Sequence, residues 1–451
     1  MMFPPARQIF PVLVAALILW SQLLLPPIIG LADNADYVNV TGPLQLVPAA
    51  PAEGSERFFD FLIPLWKHDP NEPFGVRLYT STLLPTALAF YTASPITGGL
   101  FDIRLAGLVH SLIFLAALYL IAPIIRNPAI WIAILAVLCD VVYFCYFNSF
   151  YSDAGSFLYL MLAAAFYARL AAGHSSAKWN ATGLIASILL LLTSKLQHTF
   201  LLAPLLFLLI FDKRIAKAIP RKILAACAAL FCIAVWGMYQ RVPVDYRTMA
   251  AYHIVYSDLL IHAAEPHDVL RELGLPPDTM MFKGTDAFGP RSGMNHVTYR
   301  KVMLDRLSHA KLLGFYLRHP EAPTRLTEAA LLESARERHF GHGNFAKSAG
   351  KPPASTSHAF AIVSDTRRLL FENRPGLYAL YLLAVIFGLV YTTRASAASL
   401  AVAAMAAIEF FLSALADCKE TDRHLFLFRA IVDLALVALI ARLYQNKSWR
   451  S

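Results

Sequence analysis

Two aspartates, Asp33 and Asp36, follow the first apolar segment of the chain. Their spacing would place both carboxylates on one face of a helix, if the segment around them is helical. A carboxylate at this point could take the proton of a hydroxyl group, or its oxygens could hold a divalent cation. The alternative for either residue is a helix cap or a solvated turn. Asp33 and Asp36 are therefore the candidate catalytic residues and, if a metal ion binds, its candidate ligands.

Polar residues gather in a second turn, residues 148–153, between two apolar segments. The turn is so short that Tyr151 and Asp153 are expected to lie close to the boundary of a membrane. Both are candidates for binding a substrate there. Asp153 is equally well placed to cap the helix that follows, which would be a purely structural role.

A third polar turn, residues 194–198, joins two apolar segments that are too short to cross roughly 30 Å of hydrocarbon comfortably. The turn is therefore expected to lie below the membrane surface, where polar backbone must face protein or a wet cavity. Lys195 is a candidate for binding an anion such as a lipid phosphate, with Gln197 and His198 beside it. A lysine that merely extends towards the surface is the alternative.

A fourth turn leads into the last apolar segment and contains Arg423 and His424. The guanidinium group of an arginine matches the oxygens of a phosphate in a way that a lysine does not. Both residues are candidates for substrate binding. Within the segment itself, Arg429 and Asp433 are four residues apart and are expected to pair on one helical face in a structural role.

The composition indicates a membrane protein. Hydrophobic residues make up 57% of the chain and charged residues 15%, well below the roughly 25% of a soluble domain. The net charge is +9, but the basic residues lie in short loops between apolar segments, where they orient helices in a membrane. A nucleic-acid partner is therefore not expected. The five cysteines show neither a disulfide framework nor the spacing of metal ligands.

The apolar segments predict an all-α polytopic membrane protein with about ten transmembrane helices, interfacial helices and a helical outer insertion. The first segment follows Arg7 and is expected to be retained as a helix rather than cleaved. Residues 78–93 are expected to lie along the membrane interface as part of a helical hairpin, and the alternative is a membrane span whose partner is not evident. The ten segments are Gln8–Gly30, Leu105–Ile125, Ala129–Phe147, Ala154–Leu170, Ala181–Thr193, Thr199–Phe211, Ile223–Met238, Leu377–Thr392, Ala397–Ala416 and Leu425–Leu443.

The distribution of basic residues fixes the predicted topology. Residues 181–211 could form one long helix or a hairpin folded at residues 194–198. Only the hairpin puts the basic cluster at residues 213–222 on the same side as the other basic loops, as the positive-inside rule requires. Both termini are then cytoplasmic, and all four polar turns lie on the outer side of the membrane.

Three parts of the chain follow from this topology. Residues 1–239 form an N-terminal transmembrane module with a first outer loop at residues 31–104. Residues 240–375 form an outer insertion that is mostly helical, in which residues 347–357 are expected to be a flexible loop. Residues 376–451 contain the C-terminal transmembrane helices.

The four turns and the order of the apolar segments resemble the GT-C class of membrane glycosyltransferases, which transfer sugars from polyprenyl-phosphate carriers to acceptors outside the cytoplasm. Most of the membrane part is covered by the resemblance, although each motif is short. The matching features are Asp36 with Asp33 in the first outer loop, the turn Phe150–Asp153, the turn Thr193–Gln197 with Pro204 beyond it, and Asp422–His424 before the last segment.

The resemblance implies a membrane enzyme whose active site faces the periplasm or exterior. The compact loops and the absence of eukaryotic sorting signals indicate a bacterial source, and therefore the inner membrane. Its donor would be a polyprenyl-phosphate-linked sugar, and its acceptor a cell-envelope glycan or a lipid. Lys195 and Arg423 would hold the carrier phosphate, and Asp36 would take the proton of the acceptor hydroxyl. The sequence departs from the class in the separation of the first-loop acids and in having Asp153 where glutamate is frequent, which bears on any metal requirement.

Two other functions fit a chain of this kind. A transporter or flippase of lipid-linked glycans would also have many helices and intramembrane charges, but its polar sites are typically near the membrane midplane between paired halves. Here the polar turns lie towards one face, and the two halves show no evident pairing. The other alternative is a non-catalytic envelope assembly protein, for which the acids of the first loop would be dispensable.

Overall fold

The computed structural model describes residues 6–72, 79–337 and 342–447. The chain is mostly helical, and the long apolar segments form its main helices. Leu78, the first residue of the predicted interfacial helix, lies outside the described residues. The long apolar helices are Ala6–Leu23, Leu83–Thr97, Ile103–Ile121, Pro128–Leu138, Ser152–Ala171, Ala177–Leu192, Leu202–Phe211, Arg221–Gln240, Pro375–Thr392, Ala397–Leu415 and Phe426–Lys447.

Shorter helices fill the outer regions and the turns. Some are single turns, and the segment His253–Leu259 is π-helical. The shorter helices are Val38–Thr41, Gly54–Arg57, Val141–Phe144, Cys145–Asn148, Leu196–Leu201, Lys213–Ala218, Val244–Tyr252, Leu260–His262, Pro266–Leu273, Pro277–Phe282, Tyr299–Arg306, His309–Arg318, Glu321–Arg336, Lys347–Ala349, Ile362–Phe371 and Thr421–His424.

Helix length and composition do not confirm the predicted count of about ten membrane spans. Within the described residues, five helices are long and apolar enough, and a sixth results if Pro128–Leu138 and Val141–Asn148, bent by 48°, form one span. The first apolar segment is shortened because its helix ends at Leu23, before Pro26 and Pro27. The two segments around the third polar turn also form helices shorter than a full span.

The first outer loop contains strands, so the chain is mostly helical rather than all-α. Leu46–Pro48, Leu65–His68 and Leu100–Asp102 form an antiparallel sheet in which the second strand is central. Trp66 and Phe101 face each other across this sheet and are fully buried against Phe150 of the second polar turn. The sheet therefore fixes the first outer loop to that turn.

The chain reverses at the third polar turn, as the hairpin requires. The helix Ala177–Leu192 is followed by a return segment, Leu196–Phe211, whose end lies beside the preceding helix pair. Asp212 accepts a hydrogen bond of 2.8 Å from the hydroxyl of Tyr167, near the end of Ser152–Ala171. Arg214 also donates to Tyr167, so the basic cluster lies on the same side as Arg169.

Residues 342–358 pack against the first outer loop. Asn344 and Gly30 exchange hydrogen bonds of 2.9 Å between their backbones and 2.7 Å from the Asn344 side chain. The amide of Gly343 donates to the carbonyl of Phe59, and that of Ala354 to the carbonyl of Asp60. The predicted flexible loop at residues 347–357 is therefore attached at one of its internal positions to the loop that carries Asp36.

A second hydrophobic core lies within the predicted outer insertion. Its buried residues run from Ala251 to Ala322, and Cys418 of the fourth polar turn packs against it. The helix Glu321–Arg336 instead contributes Ala330 and Ala335 to the main core, between the C-terminal helices. The insertion therefore contacts both the membrane helices and the turn that carries Arg423.

Candidate functional site

Arg423 lies at the centre of a buried ion cluster. The short helix Thr421–His424 starts directly after Glu420, whose φ of 48° is left-handed. The Arg423 side chain, 5% exposed, places Nε 2.8 Å from Glu420, Nη2 2.5 Å from Asp36 and Nη1 3.8 Å from Asp153. Burial alone would lower the pKa of Arg423, but the surrounding carboxylates raise it well above its usual value. The arginine is therefore a fixed positive charge.

The turn 193–195 brings Lys195 to the same cluster. The backbone of Lys195 is extended, and the carbonyl of Thr193 accepts a hydrogen bond from the amide of Ser81. This conformation directs Nζ of Lys195 to within 3.0 Å of Oδ1 of Asp153. Because Asp153 is only 1% exposed and also faces Arg423, its carboxylate holds the two cations near each other.

The ring of Tyr151 packs against the guanidinium group of Arg423. The guanidinium carbon of Arg423 lies 5.1 Å from the centre of the Tyr151 ring, within the range of a cation–π interaction. The Tyr151 hydroxyl donates to the carbonyl of Ala32, and its ring packs edge-on against Tyr37. The second polar turn thus supports the first outer loop and Arg423 together.

The two first-loop aspartates have different surroundings. The segment 33–37 is a turn rather than a helix, so the predicted common face does not exist. Asp33 is buried, pairs with Arg57 at 2.7 Å and accepts hydrogen bonds from the amides of Ala35 and Tyr37. Burial raises its pKa, although Arg57 and these amides oppose the rise. Its contacts make Asp33 an anchor of the turn.

Asp36 is the accessible acid of the pair. Its carboxylate is 34% exposed while Oδ2 contacts Arg423. Asp33 and Asp36 thus direct their oxygens to different arginines, and they do not fit the predicted role of shared ligands for a divalent cation. Within residues 6–72, 79–337 and 342–447, no three His, Cys, Asp or Glu residues are grouped so that they could hold a metal ion.

His424 lies beside the two cations of the cluster. Burial lowers its pKa to about 4, and the nearby charges of Lys195 and Arg423 act in the same direction. The imidazole is therefore neutral at physiological pH. A neutral ring at this position adds no further positive charge and can donate or accept one hydrogen bond at each nitrogen.

Gln197 and His198 belong to a buried polar layer next to the cluster. Gln197 donates from Nε2 to Glu409 at 2.5 Å and to Ser413 at 3.0 Å, both on the helix Ala397–Leu415. His198 has Nδ1 2.9 Å from the hydroxyl of Ser194. The contacts of Gln197 attach the hairpin to the helix Ala397–Leu415, whereas the contact of His198 with Ser194 lies within the turn. Of the three candidates, only Lys195 pairs with Asp153.

Glu420 was missed by the sequence analysis. It accepts from Nε of Arg423 and from the side-chain amide of Asn34 at 2.6 Å, so it links the first and fourth polar turns. The sequence feature that could have identified Glu420 is its position three residues before Arg423, which places the two side chains near each other in a helical turn. Its left-handed backbone, which favours neither glutamate nor helix, could not be read from the sequence.

The predicted pair Arg429–Asp433 is replaced by another arrangement. Asp433 forms an ion pair with Arg367 and accepts a hydrogen bond of 2.6 Å from Tyr143. Arg367 also pairs with Glu337 at 3.1 Å. Because Arg367 comes from the outer insertion and Tyr143 from the helix Val141–Phe144, the helical spacing of Arg429 and Asp433 did not reveal these partners. The structural role expected for Asp433 stands, with a different partner.

Comparison with known proteins gives one informative match. No curated protein and no solved structure matches the chain. The family model described as the YfdI N-terminal transmembrane domain matches residues 5–451, which is nearly the whole chain. This agrees with the apolar helices described above and identifies a membrane protein. The chain therefore belongs to the family of the YfdI N-terminal transmembrane domain.

Proposed function

We propose that this protein is a membrane glycosyltransferase of envelope glycan biosynthesis. It transfers a sugar from a polyprenyl-phosphate carrier to a glycan or lipid acceptor on the outer side of the bacterial inner membrane. One observation carries the proposal. Three turns distant in sequence place an exposed carboxylate, Asp36, and two cations, Lys195 and Arg423, in a single ion cluster.

The two cations suit the phosphate of a lipid carrier. Arginine presents a planar fork of donors to phosphate oxygens, and lysine adds a compact charge. Both side chains face Asp153 before any ligand binds, so the two cations are already near each other. A carrier lipid can reach such a site sideways from the bilayer, between the helices.

The reaction needs one base and a neutralised leaving group. The acceptor hydroxyl gives its proton to the carboxylate of Asp36 while its oxygen forms a bond to the anomeric carbon of the sugar. The bond between that carbon and the phosphate oxygen breaks, and the phosphate leaves with the electron pair. Lys195 and Arg423 stabilise the charge that develops on the phosphate.

The variant Asp36→Asn tests this function because it is nearly isosteric and cannot accept the proton. We expect purified wild-type protein to transfer sugar from polyprenyl-phosphate donors, and the variant to lose the transfer while its thermal unfolding is nearly unchanged. Mass spectrometry of envelope glycans from cells with each protein identifies the product. Undiminished transfer by Asp36→Asn would exclude Asp36 as the base.

A lipid-linked glycan flippase is the second candidate function. The bent helix pair at residues 128–148 favours it, because interrupted helices are typical of transporters. At the break, however, Asp140 accepts two hydrogen bonds from Ser364, so that its carboxylate is engaged within the protein. A flippase would move fluorescent lipid-linked glycans across vesicle membranes without changing them, and this assay separates the two functions.

A further inference from the structure

Two nitrogens of the Arg423 guanidinium group donate to carboxylates in the ligand-free site. Nε donates to Glu420 at 2.8 Å and Nη2 to Asp36 at 2.5 Å, whereas Nη1 lies 3.8 Å from Asp153, too far for a hydrogen bond. A phosphate that is to bind Nη2 of this arginine must therefore compete with Asp36 for that nitrogen. The contact with Asp36 opposes the binding of an anion at this edge of the guanidinium group.

The charges of the cluster lead to the same conclusion. Three carboxylates face Lys195 and Arg423, so the cluster has one excess negative charge before a ligand arrives. Asp33 and Arg57 neutralise each other nearby. Adding a phosphate to this arrangement would bring anions together in a largely buried site, which is unfavourable unless a carboxylate moves away.

Asp36 is the carboxylate that can leave. Asp153 is 1% exposed and is held by Lys195 as well as Arg423. Glu420 is tied to the Asn34 amide and to Nε, the donor closest to the backbone of Arg423. Asp36 is the most exposed of the three, with 34% of its side chain accessible against 27% for Glu420, and it contacts Nη2. A rotation of its side chain would place the carboxylate in solvent.

We propose that the donor phosphate displaces Asp36 from Arg423, and that this exchange delivers the carboxylate to the acceptor hydroxyl. The inference rests on the proposed function and adds a regulation of the same site. Until a donor is bound, Asp36 serves as the counter-ion of Arg423. Binding therefore follows an order, with the donor first and the acceptor second, and the base becomes available only when a sugar is in place.

Binding of a carrier lipid without sugar tests the exchange. The probe is a polyprenyl monophosphate, titrated into the full-length protein in lipid nanodiscs. Asp36→Asn removes the competing charge, so we expect it to bind the probe about fivefold or more tightly than the wild type, although it transfers no sugar. If the carboxylate of Asp36 instead assisted donor binding, Asp36→Asn would bind the probe less tightly than the wild type.

Two further variants serve as controls. Asp36→Glu keeps a competing carboxylate and is expected to bind the probe as the wild type does. Asp268→Asn removes one negative charge from an exposed pair in the outer insertion and is also expected to leave binding unchanged. Asp36→Asn should fold, because two carboxylates then balance the two cations, and its thermal unfolding verifies this.

The outcomes separate the exchange from the proposed function. If wild type and Asp36→Asn bind the probe equally, or the variant binds it less tightly, the exchange is wrong while the donor class stands. If neither protein binds the probe, the proposed donor class is wrong, and the exchange with it. Tighter binding by Asp268→Asn as well would show that net charge alone is responsible, which also overturns the exchange.

Discussion

Arg423 is held on each edge of its guanidinium group, and this makes its geometry as important as its charge. Glu420, Asp36 and Asp153 fix its plane over the Tyr151 ring. A lysine at this position could place one ammonium group near a single carboxylate, but it could not contact three of them. The other carboxylates would then lose their contact with residue 423, and Asp153 would keep a second cation, Lys195.

The first prediction concerns this geometry. Arg423→Lys keeps the charge and removes the fork, so we expect transfer to fall by roughly 100-fold, similar to the loss of one preorganised donor at a developing charge. Transfer rates of purified protein in nanodiscs provide the measurement. Arg318→Lys, at a half-exposed ion pair of the outer insertion, is the control and should retain full activity. Full activity of Arg423→Lys would contradict a role for the fork.

The second prediction concerns His424 and pH. Its pKa in the folded protein is about 4, below the ordinary value of 6.5, so the unfolded chain binds more protons between these values. The contribution of neutral His424 to the stability of the folded protein is therefore fully present above pH 6.5 and is lost as the pH falls towards 4. We expect His424→Asn to lose less thermal stability than the wild type between pH 7 and pH 5. An equal loss in both proteins would show that His424 does not carry this dependence.

One amide side chain links the hairpin at residues 193–211 to two other segments of the chain. Gln197 donates to Glu409, Ser413 and the carbonyl of His424, which lie on two other segments. Gln197 thus connects the hairpin to the helix Ala397–Leu415 and to the turn that carries Arg423. The connection also explains why Lys195, two residues earlier, has a defined direction.

The third prediction follows from this connection. Gln197→Ala leaves the buried Glu409 without its amide donor, at a cost of about 1 to 3 kcal/mol in unfolding free energy. Denaturant unfolding in detergent should show the loss. Gln240→Ala, at the exposed end of a helix, removes a side chain of the same size and is expected to change the free energy by less than about 0.5 kcal/mol.

Apolar length and charge placement allowed most helices, and the hairpin, to be predicted from the sequence. The lengths of the spans were less predictable, since Pro26 and Pro27 end the first helix well before the apolar segment ends. The three strands gave no signal, because segments of three or four residues are too short for an alternating pattern. Their stability comes from Trp66 and Phe101, which pack against a turn far along the chain.

The site was predictable as a set of residues but not as a network. Residue type and membrane topology indicated Asp36, Lys195 and Arg423, and the structure brings them into one cluster. The partner of each residue depended on packing: Asp33 faces Arg57, and Asp433 faces Arg367. Pairs this distant in sequence have no spacing rule, so only the folded chain reveals them.

The outer insertion is connected to the ion cluster through the fourth polar turn. Nδ1 of His253 lies 3.2 Å from Oδ1 of Asp417, and His309 and Tyr316 contact the carbonyls of Ala416 and Leu415. His253 lies on a π-helical segment, a feature common at functional sites. The position of the insertion can therefore influence the turn that carries Arg423.

The fourth prediction tests this influence. His253→Ala removes the contact with Asp417, and a loss of about 1 kcal/mol would raise local opening of the turn roughly fivefold. Hydrogen–deuterium exchange of residues 417–424 measures the opening, and we expect a smaller decrease in sugar transfer alongside it. His262→Ala, an exposed histidine of the same insertion, is the control. Unchanged exchange in His253→Ala would show that the insertion does not restrain the turn.

The pairing of Gly30 with Asn344 has a consequence for the biosynthesis of the protein. The two residues are separated by 314 positions, so the ribosome must add this much chain before the partner of Gly30 exists. At ordinary rates of translation the backbone of Gly30 therefore lacks this partner for roughly 16 to 60 seconds. Asp36 lacks its partner for longer, because Arg423 follows it by 387 positions. The ion cluster is thus among the last parts of the molecule to form, and a nascent chain that is released early contains Asp36 but not Arg423.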